Sequence, residues 1–424
     1  MTSPSLPETP APQAPRAPDR RPLIIGAVAL AVVLMGTAAG AAYWLRTPSV
    51  GDPLAVSPEP LALGLFSAEG STGPKQEAIA LALEEVNAVG GVLGHEVAVP
   101  VAAEETDPLA AAGVHAVLGS HALGSADLIP EITGAGILYC GNAEIRTLAP
   151  LFGDGLYFSV LPGQDLLARA LLQVAAEDGR ERIAVGSAPG EEAVLDALLA
   201  EGGRLGVEIV EVDTLEPVFA SLGSPDAFED TAADLIARDV DAFIGVDPGG
   251  SSLLGDALVG QGFPAEGIYL PERTLDDPSA ALEDRGPAGA TLVRHHRPDG
   301  GFPEINPDTA DHDLSHSPQL GGVTAALYDC VNLIALAAES AGSVEPAEIA
   351  AHLPAVSADG RECTGYADCL ARVRDGQDIA YVGPRGPLTW DDTNRLVDVP
   401  FEVVRLHGEG GPVDTEVRTF SLGS

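Results

Sequence analysis

From Leu61 onward the chain repeats one unit: a short apolar or β-branched run, a turn, then a stretch whose apolar residues recur at helical spacing. The runs are Leu61–Phe66, Val97–Ala102, Val114–Gly119 and Gly136–Cys140, and later Arg182–Gly186, Val207–Val212, Val240–Val246 and Ile268–Leu270. Between them, Gln76–Asn87 sets Ile79, Leu83 and Val86 on one helical face, and Asp165–Asp178 does the same with Leu167, Leu171 and Val174. Strands that run the same way must be joined by crossovers, and helices supply both the crossover and the cover for the sheet. The alternation therefore predicts an α/β fold with parallel sheet flanked by helices.

The stretch from about Thr47 to Ser424 exceeds what one hydrophobic core organises, so two lobes are expected. The alternation pauses at Tyr157–Pro162 and then restarts, which places a crossing between lobes there. A long apolar helix, Val323–Ala341, and two extended segments, Gly386–Trp390 and Phe401–Leu406, follow.

Ahead of the repeats, Leu23–Leu45 is an uncharged apolar run about long enough to cross a bilayer core as a helix. Arg16, Arg20 and Arg21 precede it, while Asp52 and Glu59 follow the single Arg46. This bias sets the N-terminus in the cytoplasm and the rest of the chain outside. Small residues at Ala39-Gly40-Ala41 also fit cleavage of a signal peptide, but the length of the run and the interfacial pair Tyr43 and Trp44 fit a retained anchor better. Residues 1–22, rich in Pro and Ala, read as a disordered cytoplasmic tail, and 46–57 as a linker.

The formal net charge is −41, with Lys75 the only lysine. Such a chain repels nucleic acid and anionic membrane surfaces, so neither is expected as a partner. No nucleophile elbow, zinc-protease motif or phosphate loop is present, which argues against an enzyme, and no cofactor is implied. His295, His296, His312 and His316 cluster among acidic residues, and the spacing of the last two would suit a metal on a helix. Pro298, Pro303, Pro307 and Pro318 break that segment, so no metal site is expected.

Several ordered stretches resemble a known family. They are Glu77–Asn87 followed by Gly90-Gly91-Val92-Leu93-Gly94, Val114–Gly119, Ile129-Pro130 with Gly134–Ile137, Tyr328-Asp329 with Val331–Ala338, Cys363–Leu370, and Gly386–Asp391. Together they resemble the type I periplasmic binding proteins of the branched-chain amino acid (Leu/Ile/Val) class, the substrate-binding components of ABC importers. The resemblance implies two Rossmann-like lobes joined by three crossings, with a small molecule enclosed between the carboxyl ends of strands from both. It implies an ABC permease as partner, which suits the extracytoplasmic domain on a single-pass membrane helix read from the apolar run. The lobes would divide as 58–158 and 285–385 for the first, and 159–284 and 386–424 for the second.

Carried over residue by residue, the first lobe would present Ser120, His121, Asn142, Ala143 and Glu144 to the ligand, and the second Asp247 and Glu272. The family's disulfide loop matches Cys363 and Cys369, which are expected to pair in an oxidising compartment. Cys140 ends an apolar strand and Cys330 lies in an apolar helix, which reads as two buried thiols acting as small hydrophobes, with a bridge between them as the alternative.

This chain departs from the family at the ligand. The loop Gly119–Gly124 lacks the usual run of serines, Glu144 and Ile145 stand where relatives place small or hydroxyl-bearing residues, and Ser187-Ala188-Pro189-Gly190 replaces an aromatic wall. Between Ala102 and Val114 there is room for only a truncated helix. Two readings follow. Either the cleft takes a cationic or hydroxyl-rich molecule, or it is vestigial and the domain is a sensor or scaffold that binds another protein.

Overall fold

The alternation is realised nearly run for run. The computed structural model of the chain describes residues 59–66, 74–103, 105–119, 129–141, 155–186, 192–211, 225–246, 248–271, 287–295, 322–358, 360–407 and 413–421. All lie in one compact unit running from Leu54 to Ser424. The run Leu23–Leu45, the tail before it and the histidines 296, 312 and 316 lie outside the described residues. Among the described residues no helix is long and apolar enough to cross a membrane, and no cluster of side chains could hold a metal ion.

The first part builds β1 (Ala62–Phe66), α1 (Pro74–Ala88), β2 (Ala98–Ala103), α2 (Thr106–Ala111), β3 (Ala116–Gly119), α3 (Ile129–Gly134), β4 (Leu138–Gly141) and β5 (Tyr157–Ser159). Its five strands form an all-parallel sheet in the order β2-β1-β3-β4-β5. Period-two alternation is visible in the burial. Leu63, Leu65, Ala116, Leu118, Leu138 and Cys140 enter the main core, while Phe66, Val117 and Tyr139 fill a smaller one with Leu109, Ile129 and Ile132. Both faces are covered, so the strands read as continuous apolar runs. The six residues of α2 are the truncated helix expected from the short spacing.

The second part builds α4 (Gln164–Glu177), β6 (Arg182–Gly186), α5 (Glu192–Leu205), β7 (Glu208–Glu211), α6 (Pro225–Ala237), β8 (Ala242–Gly245), α7 (Pro248–Gly260), β9 (Ile268–Pro271) and β10 (Thr291–His295). The last part adds α8 (Gly322–Ala341), α9 (Pro346–Ser357), β11 (Arg361–Cys363), α10 (Tyr366–Arg374), β12 (Ile379–Gly383), β13 (Gly386–Pro387), β14 (Asp398–Leu406) and β15 (Val413–Ser421). The second sheet has seven strands in the order β15-β14-β10-β9-β8-β6-β7, parallel from β10 to β7 and antiparallel at the β14–β15 hairpin. A small sheet, β11-β12-β13, completes the fold beside α8 and α9.

Two lobe boundaries move. The strand Thr291–His295 pairs with β9 and β14, so the chain leaves the second sheet after His295 and not at 285. Gly386-Pro387 pairs with β12, so the final return to the second sheet begins at Asp398 and not at 386. Strand pairing over a hundred residues of sequence decides both, and Val293 facing Val403 is its plainest sign.

Helix α8 returns the chain to the first lobe and packs on α1, β3 and β4. Its Glu339, with a side chain only 1% exposed, accepts hydrogen bonds from Leu93 N–H (2.8 Å) and Arg374 Nη2 (2.7 Å). This fastens the turn after α1, where Leu93 holds φ +51° and Gly91 φ +69°. A Cβ on Gly91 would sit 1.8 Å from the His95 carbonyl oxygen, so that position demands glycine.

Cys363 and Cys369 are bonded to each other. Cys140 and Cys330 are bonded as well, which corrects the reading of two free thiols. The cause is the docking of α8 across β4, which brings their Cα atoms to 5.8 Å, inside the range a disulfide spans.

Candidate functional site

In open parallel sheets, loops at the carboxyl ends of the strands form the ligand site. In the first sheet Gly119 of β3 and Gly141 of β4 are register partners, so the two strand ends lie side by side. Close approach here requires both glycines: a Cβ on Gly119 would lie 1.8 Å from the Tyr139 hydroxyl, and one on Gly141 would lie 2.0 Å from the Gly119 carbonyl oxygen. Ser120 and His121 directly follow the first strand end, and Asn142, Ala143 and Glu144 the second. In the second sheet Val246 N–H donates to the Gly186 carbonyl (3.0 Å), and β8 pairs with β9, which ends at Pro271. Asp247 follows Val246 and Glu272 follows Pro271. All seven expected ligand residues lie outside the described residues. The structure therefore defines the strand ends that launch them.

Beneath the first-lobe ends lies a stacked pair, Tyr139 and Tyr157, with ring centroids 5.8 Å apart. Burial pushes the Tyr157 hydroxyl up to about 12 and the Tyr139 hydroxyl well above its usual range, so both stay neutral. Behind Gly141, the Cys140–Cys330 bond anchors the end of β4 to α8.

Two of the segments that join the sheets, 155–165 and 388–397, lie among the described residues, and most of their side chains carry no functional signal in the sequence. Trp390 Nε1–H donates to the Ser159 carbonyl (2.6 Å), and the Trp390 ring meets Phe158 edge-on at 5.4 Å. Ser159 N–H donates to the Asn394 carbonyl (3.3 Å), and Asn394 Nδ2 to the Gly155 carbonyl (3.1 Å). Arg395 Nη2 donates to both carboxylate oxygens of Asp165, at 2.8 and 2.9 Å. The Asp391 carboxylate caps this turn by accepting from Thr393 and Arg395 N–H, and with the Arg395 charge these bonds outweigh burial and hold it below the usual carboxylate range. The first crossing (155–165) and the last (388–397) are thus bonded into one plate.

The family described as periplasmic binding protein matches residues 64–410. This chain belongs to that family. Its members are non-enzymatic solute-binding proteins, and this chain has their solute-binding architecture. An ABC transporter substrate-binding protein from Desulfitobacterium hafniense matches with a TM-score of 0.58 at 18% identity, over 84% of this chain and 99% of that one. The substrate-binding protein LivJ from Streptococcus pneumoniae, solved with isoleucine, matches with a TM-score of 0.57 at 15% identity, over 85% and 100%. A solute-binding protein from R. palustris, solved with benzoate, matches with a TM-score of 0.55 at 16% identity, over 86% and 98%. At these identities the likeness is one of fold. No curated protein matches the chain in sequence.

Proposed function

We propose that this chain is the extracytoplasmic solute-binding component of an ABC-type importer, and that its cleft takes a cationic or hydroxyl-rich small molecule. The observation that carries this reading is the adjacency of Gly119 and Gly141 at the carboxyl edge of the first sheet, facing a family architecture built for capture. Ser120, His121, Asn142, Ala143 and Glu144 follow these strand ends in the chain, and on this reading they bind the ligand together with Asp247 and Glu272. A ligand carboxylate entering beside Glu144 would lose water and meet a like charge, which costs several kcal/mol unless donors offset it. An amine or polyol would instead gain charge-assisted hydrogen bonds of roughly 1.5–3 kcal/mol each.

A thermal-shift screen with branched-chain amino acids, polyamines, amides and sugars tests the reading, because a ligand of the folded state raises the melting temperature. The shift is expected with an amine or polyol and should shrink in Glu272→Gln and Asp247→Asn. A leucine-induced shift that survives both substitutions would refute the assigned selectivity.

The run Leu23–Leu45 is proposed as a retained membrane anchor with its N-terminus in the cytoplasm. Protease added to intact cells should remove the large domain and spare a short N-terminal tag. A protected domain would reverse this topology, and a mature chain beginning after Ala41 would show cleavage instead.

A further inference from the structure

An open sheet ends in two edge strands whose outward N–H and C=O groups face no neighbour, and folds blunt such edges with short strands, prolines, bulges or covering segments. Three of the four edges of the two large sheets are blunted in these ways. β2 carries Pro100, which has no N–H to donate, and its register with β1 breaks between Ala62 and Gly64. β5 is three residues long, and the 388–397 segment covers it through the Ser159 bonds to Asn394 and Trp390. β7 is four residues long. The fourth edge, β15, has none of these devices. It pairs with β14 over nine residues without a register break, contains neither proline nor glycine, and has no strand on its outer side among the described residues. Thr415, Glu416, Val417 and Thr419 are exposed, and Val417, at 50%, is the most exposed large hydrophobic side chain among the described residues.

We propose that β15 is a homodimerisation edge: a second copy of this chain adds its own β15 antiparallel, about a two-fold axis at Val417, and joins the two second sheets into one. The strand's own sequence selects both partner and register. Two antiparallel copies pair all of Val413–Ser421 only when Val417, the midpoint, lies opposite Val417. That register sets Glu416 opposite Arg418 of the second copy and Thr415 opposite Thr419, each pair occurring twice, and both kinds of pair favour strand association. A slip that keeps every side chain on its own face moves by two residues. One such slip sets Glu416 against Glu416 and the other sets Arg418 against Arg418, so like charges penalise both. Arg418 is already held in place: its Nη2 donates to Glu177 of α4, and its guanidinium lies 5.2 Å from the centre of the Phe420 ring. Its remaining N–H groups are available to a second carboxylate. Glu416 accepts no hydrogen bond among the described residues. The net charge of −41 on each copy opposes association at long range, but salt screens it beyond about 8 Å at physiological ionic strength, whereas the cross-strand pairs are in contact. None of these residues is assigned to the solute, so pairing and solute selectivity stand or fall separately.

The test is disulfide trapping in the purified full chain, in detergent at about 0.15 M salt. The four native cysteines are bonded in two pairs, so a new cysteine has no thiol partner within the chain. Directly opposite Cα atoms in an antiparallel pair lie about 4.5–5.5 Å apart, within the span of a disulfide, so Val417→Cys should oxidise to a covalent dimer. Thr415→Cys alone should give about a tenth of that yield or less, because the two copies of residue 415 stand roughly 13 Å apart along the paired strands. Mixing it with Thr419→Cys should recover the dimer. Sedimentation of the chain without new cysteines should show a dimer whose dissociation constant rises about tenfold in Glu416→Arg, an exposed change that leaves the core intact. A monomer that yields no Val417→Cys dimer, equal trapping at 415 and 417, or a dimer indifferent to Glu416→Arg would each overturn the proposal. Trapping of Val417→Cys in intact cells to a different protein alone would overturn it too, by giving the edge another occupant.

Discussion

Replacing Cys140 and Cys330 together by alanine is expected to cost about 5 kcal/mol of stability, at the upper end of what a single disulfide contributes. The bond joins residues 190 apart, so in the unfolded chain it closes a long loop and removes much conformational freedom. In the folded chain it lies between two elements already docked, with both cysteines fully buried. Alanine at Cys363 and Cys369 provides the comparison. That bond spans a sequence separation of 6, so its loss should cost roughly 2 kcal/mol. Denaturant unfolding under oxidising conditions measures both. A loss below about 1 kcal/mol for the long-range pair, or one smaller than that of the short ring, would refute the account of α8 as stapled to the sheet. Because Gly141 follows Cys140 directly, the same variant should also loosen the strand end that leads to Asn142–Glu144.

Arg395→Met should cost about 3 kcal/mol, the penalty of leaving a buried carboxylate without its cation. The Asp165 side chain is 5% exposed and both its oxygens accept from Arg395 Nη2, so truncating the arginine strands the charge at the root of α4. A Cβ on Gly163 would lie 2.4 Å from Asp165 Oδ1, which shows how tightly the backbone wraps the pair. Removing both charges, with Asp165→Asn added to Arg395→Met, should recover most of the loss, since two neutral side chains owe no desolvation. A double-mutant cycle reads this directly. Additive losses, or a single-variant cost below about 1 kcal/mol, would show that the pair does not hold the first and last crossings together.

Much of this architecture is legible in the amino-acid sequence. Runs such as Ala116–Gly119 and Ala242–Gly245 are apolar on both faces and end in glycine, and that pattern survives only in a parallel sheet covered on two sides. The short α2 follows from counting residues between two strands. The lobe boundaries shift because pairings such as Leu292 with Val404 join segments that nothing local connects. The Cys140–Cys330 bond escapes the sequence for a related reason: apolar surroundings predict burial of both residues but say nothing about their distance. Asp165 and Arg395 look in sequence like any surface charge, and only packing reveals them as buried partners. At the site itself, chain position relative to strand ends can be read, whereas sequence order does not say which side chains meet.

Calorimetric titration of the purified chain with single solutes tests solute capture most directly. Saturable binding at micromolar concentrations or tighter is expected for a cationic amine or a polyol, with no comparable heat from leucine, isoleucine or valine. Micromolar binding of leucine, or no binding to any solute of either class, would contradict it.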